Sequence, residues 1–268
     1  MKMLYAKAYS LSSSDDQLSH SPNPSTEQKP TIVLVEDDSD LSTLLRRELE
    51  REHFKLLLAR DRDEAHWVLR RVSARKIPLL TIIDLNLAQG NGSEIISFIR
   101  NLREIKRSPI LAISSRSAPE VRIRALEEGA DDILEKPFGM REFLSRIRVL
   151  SRCYEQSTSP LMPDVTVTLG PLYIDTQKIE VAIEGQEVLL TRLEFRILHY
   201  LALHQGRVVT KEELLSSLWG EEEPVADETL KVHISAIRKK LGDRNRTPKL
   251  IETLRGFGYR LKKSLPPR

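Results

Sequence analysis

Four apolar runs of the chain end on side chains able to handle a phosphoryl group. Glu36 and Asp37 close the run TIVLV, Asp84 closes LLTII, Ser114 closes PILAI, and Lys136 follows DIL. If each run is a strand of an open parallel sheet, these ends share one crevice, because ligands sit outside the carboxyl ends of such strands. Three carboxylates gathered there repel one another unless a cation joins them. Hard oxygen donors without His or Cys suit Mg²⁺, which takes a few carboxylates and keeps waters and phosphate oxygens. A lysine and a hydroxyl on the other side suit a phosphoryl group. The chemistry implied is attack by a carboxylate on phosphorus to give an aspartyl phosphate, with Asp84 the nucleophile because its run is central. Taken singly, a strand-ending Asp is an ordinary helix cap and a Lys-Pro pair an ordinary turn. The signal is their joint order.

The elements that position these residues are legible in the periodicity. The runs TIVLV, FKLLLA, LLTII, PILAI and DIL alternate with amphipathic stretches over 39–52, 61–75, 92–102, 118–128 and 139–152. Five βα units with near-continuous apolar strands predict a five-stranded parallel sheet, flavodoxin-like and covered on both faces. Asp61 with Glu64 three residues on marks one helix start, and Gly129 marks a helix end. Beyond the stretch QSTSPLMP the pattern changes. Short strand candidates fill 165–189. Thr191 with Glu194, and Thr210 with Glu213, open two helices as capping boxes. Asp227 caps a third, whose apolar face carries Leu230, Ile234, Ile237 and Leu241, and a hairpin (LIETL, RGFG, YRL) closes the block. Three helices and a hairpin are the layout of a winged helix, an α+β domain. The expected division is a disordered extension over 1–30, an α/β domain over 31–152, a linker over 153–163 and the winged helix over 164–265.

A length of 268 residues suits two domains better than one. With 40% hydrophobic and 30% charged residues the chain is globular, and no apolar run approaches the roughly 20 residues that cross a bilayer. The start, MKMLYAKAYSLSSSDD, is too polar for a secretory signal. The single cysteine, Cys153, excludes a disulfide framework and any multi-thiolate zinc site, and suits a reducing cytoplasm. Net charge is only +3, but it is unevenly spread. Residues 153–228 hold 5 basic and 14 acidic side chains, whereas residues 229–268 hold 12 basic and 2 acidic ones. A tail so basic points to a polyanion partner for one element; alternatively it is a solvated face.

VEDD at 35–38, IIDLNLAQGNG at 82–92, ILAISSR at 110–116 and GADDILEKPF at 129–138 resemble a response-regulator receiver domain. DETLKVHISAIRKKLG at 227–242 and IETLRGFGYRL at 251–261 resemble the winged-helix effector of the OmpR/PhoB family. The resemblance implies that Asp84 is phosphorylated by a histidine kinase. It implies that Asp37, Asp84 and the backbone carbonyl of Asn86 bind Mg²⁺, with Glu36 acting through water. Ser114 then takes the hydroxyl position and Lys136 pairs with phosphoryl oxygens. Receivers phosphorylate themselves, but the product is a signal, so the chain is not expected to be an enzyme. Activated receivers of this family pair through the fourth helix, fifth strand and fifth helix, and the matching charges are Arg122 with Glu142, Asp131 with Arg148, and Asp132 with Arg146.

Across the third effector helix from its apolar face lie Lys231, Ser235, Arg238 and Lys239, fit for a major groove. Thr229 could donate to a phosphate and Val232 could meet a thymine methyl. Arg255, at the hairpin tip, resembles the family's minor-groove arginine, with Tyr259 following it. His233 is expected to pack rather than read a base. The chain also departs from the family. Ile133 stands where a switch aromatic is usual, and Ala88 where a proline follows the phosphoacceptor. Glu228, Ser235 and Ala236 stand where arginines are frequent. In the family the turn at WGEEEP (219–224) can approach RNA polymerase; otherwise it is a solvated turn. The leading expectation is a cytoplasmic, phosphorylation-controlled regulator that binds tandem DNA sites as a dimer. A constitutive DNA-binding protein, suggested by Ile133 and Ala88, and a Mg²⁺-dependent phosphohydrolase are the alternatives.

Overall fold

The computed structural model describes residues 29–75, 78–115, 119–156, 166–219, 227–243 and 250–263. Most of the expected N-terminal extension, the linker from 157 on and the acidic turn at 220–224 lie outside them. The first domain runs β1(Thr31–Val35), α1(Ser39–Arg51), β2(Lys55–Ala59), α2(Arg62–Ala74), β3(Leu80–Asp84), α3(Gly92–Asn101), β4(Ile110–Ser115), α4(Pro119–Glu128), β5(Asp132–Lys136) and α5(Met140–Gln156). The strands pair in parallel in the order β2-β1-β3-β4-β5. All five residues of β1 and of β3 are buried, which is why those runs read as continuous rather than alternating. Successive residues still face opposite ways. Ile32 and Leu34 pack with Leu45 of α1 and with Phe143 and Ile147 of α5, whereas Val33 and Val35 pack with Leu69 of α2 and Ile96 of α3.

Capping residues set the helix starts. Asp38 accepts from the Asp40 and Leu41 amides, at 2.8 and 3.0 Å, and opens α1 directly behind the acid pair. Asp61 accepts from the Glu64 amide at 2.8 Å, while the Glu64 carboxylate reaches back to the Arg60 amide at 2.9 Å. Gly129 follows α4 with φ +118°, a conformation that favours glycine.

The second domain starts with an antiparallel sheet of β6(Thr166–Leu169), β7(Leu172–Asp175), β8(Glu180–Ile183) and β9(Gln186–Glu187). Then come α6(Arg192–Leu203), β10(Val209–Thr210), α7(Lys211–Trp219), α8(Asp227–Lys240), β11(Ile251–Leu254) and β12(Gly258–Leu261), the last two making a wing that β10 joins in the order β10-β12-β11. The box at Thr191 and Glu194 is complete. At α7 only half of the expected box forms. Thr210 accepts from the Glu213 amide at 3.1 Å, but the Glu213 carboxylate turns to Tyr200, at 2.9 Å, and to Arg207.

Helix α5 continues to Gln156, past the expected end at 152, and Val149 on it belongs to the buried core of the second domain. The two domains meet a second time where α8 lies against α4.

Candidate phosphoacceptor site and DNA-reading face

The carboxyl ends of β1, β3 and β5 bring the candidate residues together. Glu36 and Asp84 are buried, at 1% and 3% exposure, and one ligand atom from each of Glu36, Asp37 and Asp84 lies within 4.8 Å of the others. Lys136 reaches into the cluster from the end of β5, its Nζ 2.7 Å from Asp84 Oδ2 and 2.9 Å from Glu36 Oε2. Burial pushes the Glu36 carboxyl up from its ordinary value, more than the Lys136 hydrogen bond brings it down. Burial works against the Lys136 ammonium too, but its bonds to Asp84 and Glu36 outweigh it and the net shift is upward. One cation among three carboxylates leaves an excess of negative charge on hard oxygen donors. That donor set fits a hard divalent cation.

Loop backbone amides orient two of the carboxylates. The Asn86 amide donates to Asp84 Oδ1 at 2.8 Å, and the Ala88 amide donates to Asp37 Oδ2 at 2.6 Å. A proline at 88 has no N–H to give, so the residue that departs from the family pattern ties the loop to Asp37 rather than leaving it loose. Gly92 opens α3 so close to the phosphoacceptor strand that a Cβ there would stand 2.3 Å from the Asp84 carbonyl oxygen. Ser114 is fully buried and donates to the Ser115 carbonyl at 2.8 Å. Ser115, not singled out from sequence, donates to Asn86 Oδ1 from its hydroxyl at 2.7 Å and from its amide at 3.0 Å. Ile133 is half-buried and joins the core under α4.

The charges expected at a dimer face are engaged within the chain. Arg146 holds Asp132 at 2.6 Å and Glu142 at 3.0 Å, and Arg122 holds Glu135. Asp131 is 1% exposed and bound to Arg100 at 2.8 Å, whereas Arg148 pairs with Glu52 at 3.0 Å within the chain. Nothing in the residue pattern singles out Arg100. It also donates to the carbonyls of Lys106, Ser108 and Gly129, which locks the turns that lead into β4 and β5.

The basic face of α8 is divided. Lys231, Lys239 and Arg255 are exposed, Thr229 and Ser235 are partly covered, and Lys231 pairs with Glu228 at 3.3 Å. Val232, expected to face a thymine methyl, is 7% exposed and sits in one apolar cluster with Ala125, Leu126 and Ala130 of the first domain. Ala236, one turn on, is buried as well, and buried His233 contacts the Asp131 carbonyl through Nε2 at 3.0 Å. His233 therefore packs, as expected, but against the other domain. Arg238 donates to the Ile251 carbonyl at 2.9 Å and Thr253 Oγ1 at 2.8 Å, and lies 6.0 Å from the centre of the buried Tyr259 ring. These two residues brace α8 against the wing.

A parallel sheet in this order, with an acidic crevice at its carboxyl edge and a winged helix on the same chain, is the architecture of a response regulator. The family model for the response regulator receiver domain matches residues 32–148, and that for the C-terminal part of transcriptional regulatory proteins matches residues 185–261. The phosphate regulon transcriptional regulatory protein PhoB of Rhizobium meliloti is 34% identical, over 87% of this chain and 98% of that protein. The transcriptional regulatory protein CpxR of Escherichia coli K12 is 35% identical, over 85% of this chain and 96% of that protein. A solved structure of a RitR mutant shares the fold, with a TM-score of 0.69 and 23% identity over 88% of this chain and 100% of that one. The chain belongs to the OmpR/PhoB family of two-component response regulators.

Proposed function

We propose that Asp84 accepts a phosphoryl group from a histidine kinase and that this event frees α8 to bind promoter DNA. The observation that carries the reading is Lys136 bridging Asp84 and Glu36 at the one edge of the sheet where Asp37 also converges. Asp84 attacks the phosphorus as a carboxylate, the donor's leaving group departs with its bonding electrons, and Lys136 exchanges a carboxylate for a phosphoryl oxygen. Ser114 supplies a hydroxyl to another oxygen. Glu36, Asp37, Asp84 and the Asn86 carbonyl would hold Mg²⁺, which when bound supplies positive charge against the oxygens of the transferred group. The chain's product is a signal on its own side chain, so the relevant readout is DNA occupancy rather than turnover.

The DNA reading rests on family membership and on the basic run of residues 229–268, with Thr229, Lys231, Val232, Ser235, Arg238, Lys239, Arg255 and Tyr259 as its elements. With Val232 packed against α4 and Ala236 buried, α8 cannot enter a major groove in this arrangement. Helix α8 rests against α4, one element of the α4–β5–α5 face that would pair two receivers, and this reading couples pairing to release of α8. Arg122, Asp131, Asp132, Glu142, Arg146 and Arg148 are the charges this reading assigns to that pairing. A cytoplasmic site of action is consistent with the chemistry, and among the described residues no helix is long and apolar enough to cross a membrane. RNA polymerase, approached through the acidic turn after Trp219, is the further protein partner of this reading.

The test is binding of the full chain to duplexes selected from a random pool, with and without acetyl phosphate and Mg²⁺. Binding that rises with the phosphodonor in the parent and not in Asp84→Asn supports the reading. Equal binding in both conditions would leave a constitutive DNA-binding protein.

A further inference from the structure

The wing tip carries a side chain that the functions above do not use. Phe257 is 69% exposed, the most exposed of the large hydrophobic residues described. It stands between two glycines in the turn that joins β11 to β12, its amide donating to the Leu254 carbonyl at 3.0 Å. Gly256 has φ +82°, and a Cβ built on it would meet nothing within 4 Å, so the tip projects into open space. Gly258 is required for a different reason, since a Cβ there would lie 2.0 Å from the Val209 carbonyl oxygen. An aromatic ring left in water forgoes a large apolar burial, and on a monomer's surface such a ring calls for a partner.

We propose that Phe257 is an apolar wedge that enters the DNA minor groove beside Arg255 and opens a base step there. The inference rests on the DNA-binding reading above and names what the tip does within it. Three features favour duplex DNA over an apolar protein groove. The ring is preceded by the exposed cation Arg255 and followed on the next strand by Arg260 and Lys262, which share the single carboxylate of Glu252 and so leave a net positive charge. Arg238 braces the wing to α8 through Ile251 and Thr253, so helix and tip address one duplex as a unit. A minor groove about 6 Å wide admits a flat ring on a glycine-flanked turn, though not a helix. Apolar wedges in that groove partly unstack a step and kink the duplex towards the major groove.

The pairing of Phe257 with Arg255 makes a specific demand on sequence. The arginine is drawn to the strongly negative potential of a narrow A·T-rich groove, whereas the wedge needs a step that unstacks easily. Pyrimidine–purine steps are the flexible ones, so the flank should be A·T-rich with a TpA step at the tip rather than ApT.

The experiment uses the full chain, treated with acetyl phosphate and Mg²⁺, and duplexes selected by it from a random pool. Flanks carry TpA or ApT at each position in turn, a 2-aminopurine beside the step, and end labels for energy transfer. The parent should prefer TpA by about fivefold at one flank position, brighten the 2-aminopurine and bend the duplex. Phe257→Ser should abolish all three while keeping the A·T preference, and Phe257→Leu should restore much of the bend. Arg255→Ala should do the reverse, losing the A·T preference first. If Phe257→Ser binds with bend, brightness and TpA preference unchanged, the wedge is refuted. If Phe257→Ser lowers only cooperativity between two half-sites, the ring's partner is a neighbouring copy of the chain and the wedge is again refuted. A chain that selects no duplex overturns the DNA-binding reading, and this inference with it.

Discussion

At the scale of single residues, the pocket is a balance of charges that substitutions can tip in known directions. Asp84→Asn should take up no phosphoryl group from acetyl phosphate and Mg²⁺, as read by intact mass, whereas the parent gains one. Lys136→Ala removes the one cation among Glu36, Asp37 and Asp84. It should leave Mg²⁺ binding at least as tight, measured by calorimetry, yet flatten the response of DNA binding to phosphorylation, because the phosphoryl oxygens lose an ion-pair partner. Ile133→Tyr, placing a ring where the family has one, should widen the difference in dimerisation between phosphorylated and free chain in sedimentation velocity. The acidic cluster and its lysine were legible because strand ends in a parallel sheet share an edge. The bonds from Ala88 to Asp37 and from Ser115 to Asn86 were not. They depend on loop conformation, which residue spacing does not encode, although an alanine in place of proline did signal an available amide.

Among the elements, capping residues and buried runs placed the helices and strands of the first domain within a few residues, whereas the two-residue strand β10 and the separate bounds of β6 to β9 were not read. Pattern alone could not settle which partner a side chain chooses. Glu213 illustrates the point, since its position announces a capping box while its carboxylate serves Arg207 and Tyr200 instead. The Arg207 hydrogen bond, aided by Tyr200, pulls its pKa from 4.5 to about 2. A group depressed in the folded state contributes stability above its unfolded value and loses it as pH falls through the folded one. The junction of α6 with α7 should therefore weaken between about pH 4.5 and about pH 2. Glu213→Gln should show a lower melting temperature at neutral pH and a shallower loss over that window. Arg238 is the second case. It reads from sequence as a phosphate contact, but burial lowers its pKa and its guanidinium is committed to the wing. Arg238→Ala should leave the Ile251 carbonyl without a donor and cost about 1–3 kcal/mol in chemical denaturation, in addition to weakening DNA binding.

For the whole molecule, the proposed function makes the arrangement of α8 on α4 the resting state. His233 to the Asp131 carbonyl is one hydrogen bond of that closure. His233→Ala should shift the free chain towards opening by about 0.5–1.5 kcal/mol, a two- to tenfold rise in DNA affinity without phosphodonor. Trp219, buried and 6.4 Å from the His233 ring, is a ready reporter, and its emission should move to the red on opening. Paired chains should then favour direct repeats about 10–11 bp apart, tested by changing the spacing by half a turn. Sequence could not reveal the closure, because Val232 suits a groove and a domain surface equally and nothing in the spacing says which surface His233 packs against. Finally, α5 gives Phe143 and Ile147 to one core and Val149 to the other. The boundary drawn by family patterns therefore falls inside a shared helix. A chimera that grafts this effector onto a foreign receiver at residue 148 keeps Val149 with its own core but puts this chain's Leu150 into the stranger's receiver core. A crossover after Gln156 instead gives this effector's core a foreign residue in place of Val149, so recombination between relatives should survive where both parents carry the same side chains at positions 149 and 150.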